Sequence, residues 1–107
     1  MTGAILVFVT TSSADEAARI GRALVEERLV ACANVVPGVR SIYRWEGKVA
    51  DEAELLLLLK TRRSRFAAVE RRVRELHSYE VPEVVAVDLV DASAPYLEWL
   101  LGETVED

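Results

Sequence analysis

The amino-acid sequence predicts a single α+β domain in which four strands and two helices follow the order βαββαβ, closed by a short C-terminal helix. Three patterns carry this prediction. Ile5-Leu6-Val7-Phe8-Val9, the five leucines Leu55 to Leu59 and Val84-Val85-Ala86-Val87 are apolar runs of strand length. Two stretches between them repeat apolar residues at helical spacing, and Pro37-Gly38 interrupts one long extended segment. At 107 residues, 51% of them hydrophobic, the chain has the length of one domain, residues 1–107, and enough apolar side chain for a core.

Residues 4 to 10 read as the first strand. Thr10-Thr11-Ser12-Ser13 then offers several helix caps, and Ser13 with Glu16 three residues later has the spacing of a capping box. Ala17, Ile20, Gly21, Leu24 and Val25 recur at helical spacing to about Leu29, with Glu16, Arg19, Arg22 and Glu26 on the wetter side. Residues 31 to 46 are extended, with a bulge or bend at Pro37-Gly38. Beyond it Val39, Ser41, Tyr43 and Trp45 share one face, and Arg40, Ile42 and Arg44 the other. Glu46-Gly47-Lys48 reverses the chain into residues 49 to 61, with glycine supplying a positive backbone dihedral, so that a long hairpin projects beyond a small domain.

A second helix starts near Ser64, with Phe66, Val69, Val73 and Leu76 inward and Glu70–Arg74 as a surface pair four residues apart. It ends near His77-Ser78, and Pro82 forbids its continuation. Residues 84 to 90 form the last strand. Ala94 to Leu100 form a short helical turn with Pro95 in its first turn, and residues 102 to 107 are expected to fray.

This order is the split pattern of the ferredoxin-like fold: one antiparallel sheet with two helices on one side. The other face would be bare in a single copy, yet the leucine and valine runs read as strands covered on both sides. A closed homo-oligomer supplies the second cover. Tyr43 and Trp45, near the hairpin tip, are anchors of the kind found at subunit contacts.

A formal charge of -5 opposes a polyanionic partner. The arginines 62, 63, 65, 71, 72 and 74 are interleaved with Glu70 and Glu75, as on a solvated helix, so nucleic acid is not an expected partner. No signal-peptide pattern and no bilayer-length apolar run occur, which predicts a soluble, cytoplasmic protein with no membrane partner. Cys32 stands alone, so there is no internal disulfide and no Cys-x-x-Cys motif, in keeping with a reducing compartment. Gly21 and Gly38 belong to no phosphate loop, and Ser78 beside His77 lacks the features of an activated nucleophile.

Ala31-Cys32-Ala33-Asn34-Val35-Val36-Pro37-Gly38-Val39-Arg40-Ser41-Ile42-Tyr43-Arg44-Trp45-Glu46-Gly47-Lys48 resembles the hairpin block of the CutA divalent-cation tolerance family. Glu54 to Thr61, His77-Ser78-Tyr79-Glu80-Val81-Pro82-Glu83 and Pro95-Tyr96-Leu97-Glu98-Trp99 resemble its later blocks, in the same order over nearly the whole chain. The resemblance implies a homotrimer of ferredoxin-like subunits whose hairpins complete sheets across subunit boundaries. It implies a link to tolerance of copper and other divalent cations, no enzymatic activity, no obligatory cofactor, and a likeness to PII signalling trimers.

Within that resemblance, Cys32, His77 and Glu80 are the candidate metal ligands. Cys32 is the one thiol available to a soft ion such as Cu(I), though a lone cysteine at the start of an apolar strand also serves as a small buried hydrophobe. His77 is the one imidazole; with Glu80 as ligand or orienting acceptor it suits Cu(II) or Zn(II), and a helix-end histidine equally caps carbonyls. Lys60 can pair with Glu80 or hold an anion, and Asn34 is expected to satisfy backbone groups before the bend. Two functions follow: a trimer binding copper or a similar cation, or a PII-like signalling or scaffold trimer taking a small anion or a protein partner in its intersubunit clefts.

Overall fold

The computed structural model describes residues 1–105. They form β1 (Ala4–Thr11), α1 (Ala14–Glu26), β2 (Cys32–Trp45), β3 (Lys48–Arg62), a 3-10 turn (Arg63–Arg65), α2 (Phe66–Leu76), β4 (Val85–Asp88) and α3 (Ala94–Glu103). The sheet order is β2-β3-β1-β4 with every neighbouring pair antiparallel, the ferredoxin-like arrangement that the sequence predicts.

Element ends differ from expectation for local reasons. α1 stops at Glu26, short of Leu29, because Arg28 takes a φ of 60° and the N–H groups of Leu29 and Val30 both turn back to the Leu24 carbonyl. β4 has four residues, since Val84 packs into the main core and Leu89 joins a second cluster under α3. Residues 102 to 105 are ordered parts of the fold: α3 runs to Glu103, and Thr104, fully buried, donates its hydroxyl to the Leu100 carbonyl at 2.9 Å. Residues 106 and 107, included in the expected fraying, lie outside the described residues.

Alternation along the strands sorts the core. Ile5, Val7 and Val9 of β1 and Leu57 and Leu59 of β3 face α1 and α2, where they meet Ala17, Ile20, Leu24, Val69 and Val73. Gly21 lets α1 approach β2: a Cβ at this position would lie 3.1 Å from that of Ala33. The opposite face carries Leu6 and Phe8, aligned with Val87 and Val85 of β4 and with Lys60 and Leu58 of β3. α3 crosses only one end of this face, packing Leu97, Leu100 and Leu101 against Ala4, Ala31 and Leu89. Within one chain Val85 and Val87 remain 52% and 51% exposed, so the double-sided burial read from the valine run is not achieved by a single copy.

The hairpin is built as its residues suggest. Val36 opposes Leu56 but Val39 opposes Glu54, so one extra residue bulges at Pro37-Gly38, where Gly38 takes a φ of 81°. Glu46 and Gly47, with φ of 50° and 79°, make the two-residue turn whose twist suits an antiparallel pair. β1 pairs with β3 only from Leu55 onward, leaving Lys48–Glu54 held by β2 alone. At roughly 3.3 Å per residue this arm reaches about 20 Å beyond the sheet. Arg40 grips Asp51 across it in a bidentate pair, 2.8 and 2.6 Å.

Two polar anchors fix the remaining segments. The first is Glu16, which lies 6% exposed rather than on the wet side of α1. Only half of the expected capping box forms: Glu16 N–H donates to Ser13 Oγ at 3.1 Å, while the Glu16 carboxylate accepts from Ser78 N–H at 2.7 Å and so ties the end of α2 to the start of α1. Burial pushes the Glu16 carboxyl up, but hydrogen bonds from the Ser78 side chain and backbone, the nearby His77 ring and the Ser12 backbone hold it below the usual carboxylate range. The second anchor closes α3. Arg62 donates to the Leu101 carbonyl and, at 3.2 Å, to Thr104 Oγ1, and Arg28 donates to the Gly102 carbonyl at 3.1 Å. Two guanidiniums from elsewhere in the chain thus occupy the negative end of a helix with no basic residue in its last turn.

Because its folded pKa is depressed, Glu16 contributes stability that is present above its unfolded value of about 4.3 and lost as pH falls through the folded one. Glu16→Gln should therefore lower stability at pH 7 by about 1 kcal/mol, with the gap closing below about pH 4, in denaturant titrations at fixed protein concentration. Arg62→Ala should cost about 1–3 kcal/mol and expose the C-terminal segment to proteolysis before the rest of the chain. Undiminished protease resistance there would show that α3 is held by its leucines alone.

Candidate functional site

The segment from His77 to Val84 runs from α2 to β4 past the base of the hairpin and is pinned there at three points. His77 Nε2 lies 2.7 Å from the Thr10 carbonyl of β1, and His77 Nδ1 lies 3.1 Å from Tyr79 N–H. A carbonyl only accepts and an amide only donates, so the partners fix the tautomer: Nε2–H donates to Thr10 and Nδ1 accepts from Tyr79. The Tyr79 ring packs 4.6 Å from the imidazole, and its hydroxyl donates to Glu54 Oε2 at 2.6 Å. With Ser78 N–H on Glu16, this gives the segment one tether each to β1, β3 and α1.

These tethers frame a cleft of about 410 Å³ between the segment and the hairpin base. Tyr43 and Trp45 of β2 form one wall, Tyr79 and Val81 another, and Glu54 and Glu83 open into the space. Glu54 follows the alternation of β3 onto the side of Leu56 and Leu58 and is 7% exposed. Glu52 lies two residues further along the same side, where it accepts the Tyr43 hydroxyl. Burial, then the bond to Glu54, pushes the Tyr79 phenol far above its usual range, so it stays a donor at every physiological pH. Burial, and then the Glu54 charge, also raises the Glu83 carboxyl. An adjoining hollow of about 290 Å³ shares the three aromatic rings and is bordered by Glu46 and Glu80.

The candidate ligands fall in different places. His77 is buried with both ring nitrogens engaged, and it grips a strand carbonyl rather than capping its own helix. Glu80 is exposed, between the hollow and a groove on the outer face of α2 lined by Arg71 and Arg74. Cys32 opens β2 opposite Lys60, four positions along β3 from Leu56, which pairs with Thr10, or roughly 13 Å of strand. Its thiol is half-buried and lies 3.7 Å from Asn34 Oδ1, so Asn34 meets this sulfur and not only the backbone expected of it. Lys60 stands at that same end, its ammonium 5.6 Å from the Tyr96 ring centroid, away from Glu80. Among the described residues, no three His, Cys, Asp or Glu side chains gather as a metal shell.

Sequence reasoning missed Glu16, Glu54 and Glu83. Glu16 was legible in part, because Ala17, Ile20 and Leu24 place it on the border of the buried stripe, and Glu54 was legible from its alternation with Leu56 and Leu58. Glu83 was not, since its neighbour across the cleft lies 29 positions away in sequence.

The comparisons with known proteins agree with this architecture. The family model described as "CutA1 divalent ion tolerance protein" matches residues 5–103. A relative from Thermus thermophilus, "Divalent-cation tolerance protein CutA", is 48% identical over 99 residues, 92% of this chain and 96% of that protein. "Protein CutA 1, chloroplastic" from Oryza sativa is 43% identical over 95% of this chain, which spans 58% of the length of that relative. The crystal structure of the Thermus thermophilus protein superposes with a TM-score of 0.93 at 47% identity, covering 95% of this chain and 99% of that one. With the βαββαβ sheet, the bulged hairpin and the His77–Val84 segment all in register with these relatives over nearly its full length, the chain belongs to the CutA1 divalent ion tolerance family.

Proposed function

We propose that this chain acts in divalent-cation tolerance as a cytoplasmic homotrimer that binds copper or a similar divalent cation, with Cys32 and Glu80 as ligands and His77 as the residue that holds the Glu80 segment in place. The family match over residues 5–103 carries the reading, and the family is non-catalytic, so the chain is a binding protein rather than an enzyme. Assembly is supported by the uncovered side of the sheet. Val36, Val85, Val87, Tyr96 and Trp99 are each between about a third and a half exposed, and half-burying a valine is worth about 1 kcal/mol. Several such side chains outweigh the exposed ion pairs Arg40–Asp51 and Arg72–Glu27, worth about 0–1 kcal/mol each.

Cys32 is the natural soft ligand because its thiol is half-buried at the end of the uncovered face, where copies can bring thiols together. His77 fits the positioning role because both of its nitrogens are already used. Among the described residues no helix is long and apolar enough to cross a membrane.

The PII-like alternative, a trimer holding a small anion, rests on Lys60, whose ammonium has the Tyr96 ring beneath it. The arginines at the start of α2 lend it less: Arg63 pairs with Asp88, and Arg65 donates to the Arg28 carbonyl. Native mass spectrometry of gently purified protein separates the two readings, a stoichiometric ion supporting the first and a retained organic anion the second.

Sedimentation at micromolar concentration should give the mass of three chains, and Leu58→Glu, which places a charge on the uncovered face without touching the α1–α2 core, should give a smaller species. A well-folded single copy of the unaltered chain, free of hydrophobic-dye binding, refutes the assembly. Copper titration should be saturable, and Cys32→Ser should weaken it at least tenfold while His77→Gln leaves stoichiometry unchanged. Equal binding by Cys32→Ser removes the thiol from the site.

A further inference from the structure

Over most of the surface, acidic side chains are matched by guanidiniums, as in Arg40–Asp51, Arg63–Asp88 and Arg72–Glu27. The cleft at the hairpin base is different. Glu54 on β3 and Glu83 on the segment before β4 open into one cavity of about 410 Å³, and no Lys, Arg or His among the described residues lines it. Glu54 has little water around it, and its Oε2 already takes the Tyr79 hydroxyl at 2.6 Å.

The groups facing Glu83 from each surrounding element are acidic or uncharged. β3 presents Glu54, with Glu52 beyond it held by the Tyr43 hydroxyl, β2 presents Tyr43 and Trp45, and β1 presents Thr10. Its own segment presents Tyr79 and Val81, while His77 and Glu16 stand behind Tyr79, tied to Thr10 and Ser78. Glu46 and Glu80 border the next hollow, past the shared aromatic wall. Two carboxylates sharing a partly dry space without a cation disfavour double ionisation.

We propose that Glu83 and Glu54 form an acid-sensitive latch between the His77–Val84 segment and the base of the projecting hairpin. With both ionised, like charge holds the segment off the hairpin. When Glu83 takes a proton from solvent, its carboxylic O–H becomes a donor for the Glu54 carboxylate and the segment closes, while Tyr79 keeps its own bond to Glu54. The raised Glu83 carboxyl agrees with this arrangement. A carboxyl whose folded pKa lies above its unfolded value of about 4.3 adds stability as pH falls through the folded value and loses it as pH rises, the opposite sign to Glu16. The latch joins a segment carrying Glu80 to the arm carrying Tyr43 and Trp45, so mild acid would stiffen the base of the arm in the assembled protein.

Hydrogen exchange of the assembled protein, corrected for intrinsic rates and followed from pH 7.5 to pH 5, tests the latch. Amides of residues 78–84 should gain about two- to fivefold protection on acidification. Glu83→Gln, which keeps a neutral donor at every pH, should show the higher protection throughout, and Glu98→Gln, the same change remote on α3, should reproduce the unaltered profile. Protection independent of pH overturns the proposal. So does lower protection of Glu83→Gln at pH 7.5, which would mean that a cation from another copy or from solution pairs the two carboxylates.

Discussion

A four-stranded sheet has two faces, and this chain has helices enough for one. α1 and α2 cover Ile5, Val7, Val9, Leu57 and Leu59 completely, whereas α3 reaches only the end of the other side around Ala4 and Arg62. The rest of the structure answers to that imbalance. Aliphatic strands that would suit a buried parallel sheet sit in an antiparallel one with one side open. The extended arm also exposes Ile42, Tyr43, Trp45 and Val49 on both of its faces, more apolar surface than a two-stranded ribbon keeps in water without cover.

The polar interior is spent on holding segments together, and this decides what the cleft can do. Glu16, His77, Tyr79 and Glu54 each contribute a bond that joins the segment after α2 to a different element. An imidazole with a carbonyl on one nitrogen and an amide on the other is a strut, and freeing it for a metal would cost two hydrogen bonds, about 1–3 kcal/mol. The exposed thiol and carboxylate of Cys32 and Glu80 carry no such penalty. Ligand chemistry is therefore separated from scaffold chemistry even among residues adjacent in sequence, with His77 on one side of that division and Glu80 on the other.

What the sequence made legible follows from the range of each interaction. The strands, the bulge at Pro37-Gly38 and the turn at Glu46-Gly47 are local, set by alternation and by backbone dihedrals that glycine accepts. α1 and α2 were readable from the spacing of Ile20, Leu24, Val69 and Val73. The C-terminal boundary was not, because Thr104 is held by Arg62, 42 positions earlier. The same limit hid the cleft. Glu16 read as a surface or capping residue until its partner proved to be Ser78, 62 positions away. The blocks that identify the family pointed to the right stretch of chain, but which of His77, Tyr79, Glu80 and Glu83 turns inward depends on contacts with β1 and β3 that no local pattern encodes.

Opposing electrostatics within one small region give the cleft a balance between two carboxyls. Glu16 has two hydrogen bonds from Ser78 and a histidine beside it and favours its charge, whereas Glu83 faces a buried carboxylate and disfavours it. Both act on the same segment, from opposite ends. Acidification therefore loosens the end of the segment near Ser78 and tightens the end near Glu83, and the two effects oppose each other in any global measure of stability. Only a probe that resolves the segment residue by residue separates them. A flat stability profile for the whole protein is the expected sum of two local terms of opposite sign, and it would say nothing against either.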